Sequence, residues 1–175
     1  LETPPIQKTR EARAMHMADA LISPAVGGTM WAAAAGIAGL AARKTRFDEN
    51  DGKIPMMAVA GAFVFSAQMI NFAIPCTGSS GHLGGGLLLA ALLGPHAAFL
   101  TMACILATQA LFFADGGLLA LGCNIFNLGF YTCYVAYPLI WRPLVGAAPT
   151  RRRMFAASVL AAAAGLQLGA LSVVV

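Results

Sequence analysis

Residues 70–86 read INFAIPCTGSSGHLGGG, and this stretch separates two long apolar portions of the chain. Glycine, proline and serine at such density predict a loop rather than a helix or a strand. His82, one of only three histidines in the protein, lies within it. We therefore expect this loop to carry the functional residues, and the apolar sequence on both sides to form the scaffold that holds it.

The composition of the chain predicts a membrane protein. Hydrophobic residues make up 59% of its 175 positions and charged residues only 10%, whereas a soluble domain carries about 25% charged residues. Such a chain cannot cover a water-exposed surface, so we expect an all-α, polytopic transmembrane helical bundle. The length allows about six spans of roughly 20 residues each. The net charge of +4 comes from short basic clusters between apolar runs, which indicates topology signals rather than nucleic-acid binding.

Apolar runs between helix breakers define the predicted helices: residues 29–42, 54–72, 83–93, 97–114, 118–140 and 154–175. Pro24 and the Gly27-Gly28 pair are expected to precede the first helix. The third run is about half as long as a span requires, so it predicts a half-length helix. We expect a single transmembrane domain over 15–175, preceded by residues 1–14 as a disordered extension or as a remnant foreign to the natural chain. The last run ends abruptly at Val175 without an interfacial anchor, so we expect the natural chain to continue beyond it.

Positive charges predict which membrane face each end of the bundle occupies. Basic residues concentrate in 43–53 and 142–153, which marks both segments as cytoplasmic. The four crossings predicted between them return the chain to the same side, and they place the His82 loop on the outer side. One crossing back from 43–53 places Met15-His16 on the outer side too. The basic residues of 1–14 oppose this arrangement, unless that extension is removed or is short enough to be translocated.

His82 and the Met15-His16 dipeptide are the candidate metal ligands. An ionisable residue within a membrane protein is a functional candidate. If Met15 is the first residue, its amine, the amide nitrogen of His16 and the His16 ring can chelate one ion, and a second histidine completes four nitrogens. Planar nitrogen coordination favours Ni(II) or Cu(II) and admits Co(II). Binding of this kind strengthens as pH rises, because the ligands must be deprotonated. His96 falls on the inner side and is expected to serve packing.

Several polar residues could hold a histidine tautomer through hydrogen bonds, and these second-shell candidates are Asp19, Gln68, Asn71, Ser80 and Asp115. Asn124 and Asn127 are expected to bond across helices. Cys76 lies in the loop and could touch a metal. The remaining cysteines lie in apolar runs, where a thiol behaves as a small hydrophobe.

The first predicted helix carries small residues on two adjacent faces. Ala32, Gly36 and Leu40 share one face, and Ala35 with Gly39 forms a small-xxx-small pair on the next. Such faces let two membrane helices approach closely. The pattern fits packing within this bundle and docking against a separate subunit equally well.

Three blocks of sequence resemble the CbiM/NikM family, the substrate-binding membrane components of energy-coupling-factor (ECF) transporters for cobalt and nickel. MHMADALISP begins at Met15, QMINFAIPCTGSSGHLGGGLLLAALLGP begins at Gln68, and ALFFADGGLLALGCNIFNLG begins at Ala110. The blocks occur in the family's order, and both His16 and His82 fall within them. The resemblance covers the chain from Met15 to about Pro143.

The resemblance implies a substrate, Co(II) or Ni(II), held by the amine and backbone nitrogen of Met15 and His16, the His16 ring and the His82 ring. It implies a multi-pass protein of the plasma membrane, with ATPase subunits and a transmembrane coupling subunit as partners, and a small accessory membrane subunit as a further candidate. The chain has no GxxxxGK[ST] loop for a nucleotide. Residues 1–14 depart from the family pattern, because they block the amine of Met15.

Two other classes of protein are alternatives to a metal-transport subunit. Residues 78–81 fit the GxSG pattern of a serine protease, with Ser80 as the nucleophile. His82 would then be the base, yet it is too close to Ser80 if both lie on one helix, and His96 lies at the opposite face. A structural membrane subunit without any ligand is the other alternative. The residues alone leave the choice between cobalt and nickel open.

Overall fold

The computed structural model describes residues 19, 22–45, 47, 52–70, 72–73 and 80–174. The described helices are α1 (Pro24–Lys44), α2 (Lys53–Gln68), α3 (Gly86–Leu93), α4 (Pro95–Phe113), α5 (Leu121–Ile125), α6 (Arg142–Val145) and α7 (Arg151–Val174). A π-helical segment, Phe126–Trp141, joins α5 to α6, and two short strands, β1 (Phe72–Ala73) and β2 (Ser80–Gly81), form the described sheet. Each of the six predicted apolar runs carries a helix, and the predicted all-α bundle is confirmed.

Three helices in the described part of the chain, α1, α4 and α7, are long and apolar enough to cross a membrane. Helix α2 is a shorter apolar helix of 16 residues. The uninterrupted run of α5, the π-helical segment and α6 extends from residue 121 to residue 145, so it also reaches the length of a span. Helix α3 has eight residues and rises only about 12 Å, which agrees with the half-length helix expected there.

The prediction that Pro24 and the Gly27-Gly28 pair precede the first helix is wrong. Pro24 occupies the first turn of α1, where its missing N–H costs no hydrogen bond, and the Ser23 hydroxyl accepts a hydrogen bond from the Val26 N–H at 3.3 Å. Gly27 is buried against Leu119, where a larger residue would clash. Tertiary packing therefore explains a glycine that looks like a helix breaker in the sequence.

The other predicted boundaries move by a few residues. Helix α2 ends at Gln68 rather than at residue 72, because Phe72 pairs in β1. Helix α4 begins at Pro95 and ends before Ala114, whose left-handed backbone (φ 51°) breaks the helix. Helix α7 begins at Arg151, since the Thr150 hydroxyl caps the N–H of Arg153 at 3.3 Å.

Helix α4 lies at the centre of the bundle. Phe99 and Met102 are fully buried on it, and Leu89 of α3 and Val64 of α2 pack into the same core. Helix α7 packs along the π-helical segment, where the Asn127 side chain accepts a hydrogen bond from the Ser172 hydroxyl at 2.7 Å. This confirms the expectation that Asn127 bonds across helices.

Candidate functional site

The His82 segment leaves a short β-hairpin. Phe72 pairs with Gly81 and Ala73 with Ser80 in antiparallel register, and residues 74–79 at its tip lie outside the described part of the chain. His82 follows β2 and is half-buried. Its Nδ1 donates a hydrogen bond to the Leu83 carbonyl at 3.0 Å. A proton on Nδ1 places the lone pair of the neutral ring on Nε2, the nitrogen that can then bind a metal.

The helix predicted over 83–93 begins later than expected. Residues 82–85 are not helical, and α3 begins only at Gly86. Gly85 has a φ of 76° and packs directly on Val64, so both its backbone and its surroundings favour glycine. Gly86 is equally tight against Thr132 of the π-helical segment. The chain therefore passes from the hairpin into the bundle as a non-helical segment, and His82 lies on that segment.

Two buried glutamines stabilise this non-helical segment through hydrogen bonds. The Gln68 Nε2 donates to the Gly84 carbonyl at 2.9 Å, and the Gln109 Nε2 donates to the Gln68 Oε1 at 2.9 Å. Both side chains are fully buried. Gln68 therefore bonds to the backbone two residues beyond His82, whereas the sequence predicted that it would hold a histidine ring.

Gln109 was missed by the sequence analysis. A buried amide in an apolar membrane helix is a signal of interhelical hydrogen bonding, and Gln109 lies within the apolar run 97–114. Its partner Gln68 is 41 positions away in the chain, so no local pattern could have identified the pair.

Asp19, three positions after His16, is anchored to the turn that follows α4. Its Oδ1 accepts a hydrogen bond from the Ala120 N–H at 2.9 Å. A side chain at Gly117 would overlap the Asp19 carboxylate. The Trp31 indole N–H of α1 donates to the Leu118 carbonyl of the same turn at 2.8 Å. The start of the α1 region is thus fixed against residues 117–120.

Asp115 belongs to that turn as well. Its backbone N–H donates to the Gln109 carbonyl at 3.1 Å, past the left-handed Ala114. The Asp115 carboxylate is partly buried. The His82 segment, Asp19 and Asp115 consequently lie at one end of the bundle, as the count of crossings predicted.

Met15 and His16, with the candidates Asn71 and Cys76, lie outside the described residues, and Ser80 is described by its backbone alone. Among the described residues, no group of three or more His, Cys, Asp or Glu side chains is placed to hold a metal ion. The ligand set of Met15, His16 and His82 therefore stays a prediction. The described part of the chain contributes His82 and the elements that position it.

Positive charge gathers at the opposite end of the bundle. The described basic residues lie at the end of α1, the start of α2, the start of α6 and the start of α7: Arg43, Lys44, Lys53, Arg142, Arg151, Arg152 and Arg153. The Lys53 ammonium donates to the Thr45 carbonyl at 2.7 Å and closes the connection between α1 and α2. The described ionisable side chains are thus segregated, with aspartates and His82 at one end and cations at the other.

His96 lies at the basic end. Its Nδ1 is 3.0 Å from the Tyr134 hydroxyl, and the charges of Lys44 and Lys53 act on its ring. A cationic neighbourhood disfavours binding of a second cation. His96 therefore has the packing role that the sequence indicated.

One argument against the protease reading fails in the structure. Ser80 and Gly81 form a strand and the non-helical His82 follows it, so Ser80 and His82 do not lie on one helix. The objection that Ser80 and His82 share a helix is therefore wrong. What separates the two classes is the comparison with known proteins.

The apolar helices and the histidine-bearing segment at one end define a polytopic α-helical membrane protein with a candidate cation site. The chain belongs to the CbiM family, whose description is "Cobalt uptake substrate-specific transmembrane region" and whose profile matches residues 16–175. It is therefore a member of a family of cobalt and nickel transport membrane proteins.

Relatives and solved structures agree with this assignment. The chain is 39% identical over 71% of its length to a putative metal transport protein of Haloquadratum walsbyi, covering 57% of that protein. It is 36% identical over 90% of its length to a fused nickel transport protein of Rhodobacter capsulatus, covering 45% of it. A crystal structure of a truncated transition metal transporter superposes with a TM-score of 0.78 at 34% identity, over 91% of this chain and 72% of that one. The chain thus spans about half the length of these two curated relatives.

Proposed function

We propose that this protein is the substrate-specific membrane subunit of an ECF-type importer. It captures Co(II) or Ni(II) at the outer face of the plasma membrane and delivers the ion inward. Partner ATPase subunits power the transport, since the chain has no nucleotide-binding loop of the form GxxxxGK[ST]. The observation that carries the proposal is the position of His82. It lies on a hydrogen-bonded segment at the end of a CbiM-family bundle that carries Asp19 and Asp115.

The proposed ligands are the Met15 amine, the His16 amide nitrogen, the His16 ring and the His82 ring. Four nitrogens in a plane suit Ni(II) and admit Co(II). Asp19 supports this arrangement, because its bond to Ala120 fixes the chain three positions beyond His16. The hydrogen bond from His82 Nδ1 to Leu83 orients the ring and selects the tautomer that can bind a metal.

The charge distribution supports capture from the outer side. Basic segments lie on the cytoplasmic side of membrane proteins, and the described cations lie at the end of the bundle opposite His82. A divalent cation would meet the end that carries Asp19 and Asp115 before it meets any described positive side chain.

The free amine of Met15 gives the sharpest test of this proposal. A form of the protein that begins at Met15 should bind one Ni(II) per chain in detergent, measured by calorimetric titration. The form that keeps residues 1–14 should lose stoichiometric binding, because its residue 15 offers an amide instead of an amine. Acetylation of the Met15 amine is the matched control, and it should abolish binding in the same way.

Two results would contradict the proposal in different ways. Equal affinity with and without residues 1–14 would remove the amine from the ligand set. The absence of both Ni(II) and Co(II) binding in the form that begins at Met15 would reject the function itself.

The small-residue face of α1 is the proposed docking surface for the transmembrane coupling subunit. A Cβ built at Gly28, Gly36 or Gly39 meets no described heavy atom within 4 Å outside the backbone of α1, and Leu40 is 60% exposed. The buried stripe of α1 lies elsewhere on the helix, at Gly27, Ala34 and Ala41. Among the described residues nothing packs on these glycines, which favours docking against a subunit over packing within the bundle.

Gly36→Leu should reduce assembly with the coupling subunit while leaving Ni(II) affinity unchanged. A leucine there has room in the isolated chain, but it would keep a partner helix from close approach. Co-purification with the coupling and ATPase subunits measures assembly. Val159→Leu on α7, also exposed, is the control and should assemble normally. Normal assembly of Gly36→Leu would exclude this face as the interface.

A further inference from the structure

A chain of hydrogen bonds runs through the bundle beneath the proposed metal site. It starts at the Gly84 carbonyl, which accepts from Gln68, and it continues to Gln109, which donates to Gln68. The backbone carbonyl of Gln109 then accepts a hydrogen bond from the backbone N–H of Asp115. Gln68 ends α2 and Gln109 lies in the last part of α4. These contacts therefore join two helix ends and two loops.

The far end of this chain of bonds reaches the segment that follows His16. Asp115 opens the turn in which Gly117 makes room for Asp19 and the Ala120 N–H bonds to the Asp19 carboxylate. The His82 segment joins this chain of hydrogen bonds at Gly84, and the Asp19 segment joins it through the turn that Asp115 opens. The His82 segment is thus held by the glutamine side chains, whereas the Asp19 segment is tied to α4 through the backbone carbonyl of Gln109.

In the described part of the chain, the polar bonds of the two glutamine side chains go to each other and to the Gly84 carbonyl. Each is fully buried, and the other described atom within hydrogen-bonding range of the Gln68 amide is the Met102 sulfur at 3.9 Å. An amide transferred into apolar surroundings is tolerated only when it is hydrogen-bonded, so loss of one member leaves its partner unsatisfied. The hydrogen bonds of the two side chains therefore depend on each other, and loss of one amide disrupts the bonding of both residues.

We infer that Gln68 and Gln109 form a positioning relay that holds the His82 segment against α4, so that the proposed His82 ligand is kept in one geometry. The inference rests on the proposed function for its consequence, which is metal affinity. The positioning of the His82 segment is a property of the metal-free protein. The Gln109 Oε1 is buried and has no hydrogen-bond partner among the described residues, which leaves the relay one further acceptor for a water molecule or an N–H group.

Gln109→Met tests the relay, because methionine keeps the length of the side chain and removes its amide. Ni(II) affinity should fall about 10–100-fold, the loss typical when a group that orients a metal ligand is removed. The Ni(II) absorption spectrum should shift towards that of His82→Ala. Thr101→Val is the control, since Thr101 is buried on the same helix and bonds only to the Ala97 carbonyl of that helix. It should keep the wild-type spectrum and affinity.

Gln68→Met and the double variant show whether the two residues act together. If the relay is one unit, the double variant should lose no more affinity than the weaker-binding single variant. Additive losses would mean that each glutamine acts by its own packing, and they would overturn the inference. An unchanged affinity and spectrum in Gln109→Met would overturn it too, while the proposed function would stand.

Hydrogen exchange of the metal-free protein tests the positioning without any metal. Gln109→Met should raise the exchange of amides in 82–86 and leave 115–120 unchanged, because the Asp115 N–H bonds to the backbone carbonyl of residue 109, which methionine keeps. Thr101→Val should raise neither. Unchanged exchange in 82–86, or an equal rise in both segments, would overturn the inference. This result is independent of whether the wild-type protein binds Ni(II), so failure of the relay and failure of the proposed function are distinguishable.

Discussion

His82→Ala should weaken Ni(II) binding more than any other single side-chain change in the described part of the chain. The imidazole is the one proposed ligand among the described residues, and its removal would open the fourth position of the proposed nitrogen plane. The loss should exceed the roughly 100-fold that follows removal of an outer-shell partner. Competition titration against a chelator of known affinity measures it in the form that begins at Met15.

His96→Ala is the matched control for this experiment. It removes the same type of side chain from the basic end of the bundle, where His96 contacts Tyr134. Loss of that hydrogen bond should lower stability by about 1 kcal/mol and leave Ni(II) affinity unchanged. If His96→Ala weakened binding as much as His82→Ala, the site would not lie at the end proposed. If His82→Ala bound Ni(II) normally, the histidine-loop site would be wrong.

The fold class could be predicted because it depends on composition and on apolar runs. Charged residues are too few to cover a soluble surface, and helices are the structures that satisfy their own backbone in lipid. The half-length α3 was visible as well, since Gly94-Pro95 closes a short apolar run. These signals are local or compositional, and tertiary contacts do not reverse them.

The start of α1 and the path of residues 82–86 could not be predicted, because both depend on distant neighbours. Gly27 looks like a helix breaker, but it fits against Leu119 inside a helix. Gly85 looks like part of the helix, but its left-handed backbone and its contact with Val64 leave it just outside the first turn of α3. In each case glycine serves a close approach that only the folded structure shows.

The candidate site was predicted in part. Counting crossings between basic loops placed the His82 loop and Asp115 at one end of the bundle, and the bonds from Gln68 to Gly84, from Gln109 to Gln68 and from the Asp115 N–H to the Gln109 backbone carbonyl agree. The crossing count works because each apolar run reverses the chain. The partners of Gln68 could not be predicted, since Gly84 and Gln109 come from other segments and leave no trace in spacing. The role of Gln68 beside a histidine ligand stays a prediction.

Gly86→Ala should destabilise the fold more than alanine at any exposed helical glycine. Gly86 begins α3 where it crosses the π-helical segment, and a Cβ there would contact the Thr132 hydroxyl and approach the Leu128 carbonyl at 2.7 Å. Thr132 is itself bonded to that carbonyl, so it cannot turn aside without losing a hydrogen bond. Overpacking of this kind costs about 1–3 kcal/mol, and more where backbone must move.

The control for Gly86→Ala is Gly28→Ala in α1, where no heavy atom lies within 4 Å of the added carbon. That change should be neutral or stabilising by about 0.5–1 kcal/mol, since alanine restricts the unfolded chain. Thermal unfolding in detergent compares the two variants, and Ni(II) titration of the folded Gly86→Ala protein should show weaker binding, because α3 and the His82 segment shift together. Equal melting temperatures for the two variants would mean that the helix crossing at Gly86 can accommodate a Cβ without strain. The position of His82 would then be set by the glutamines alone.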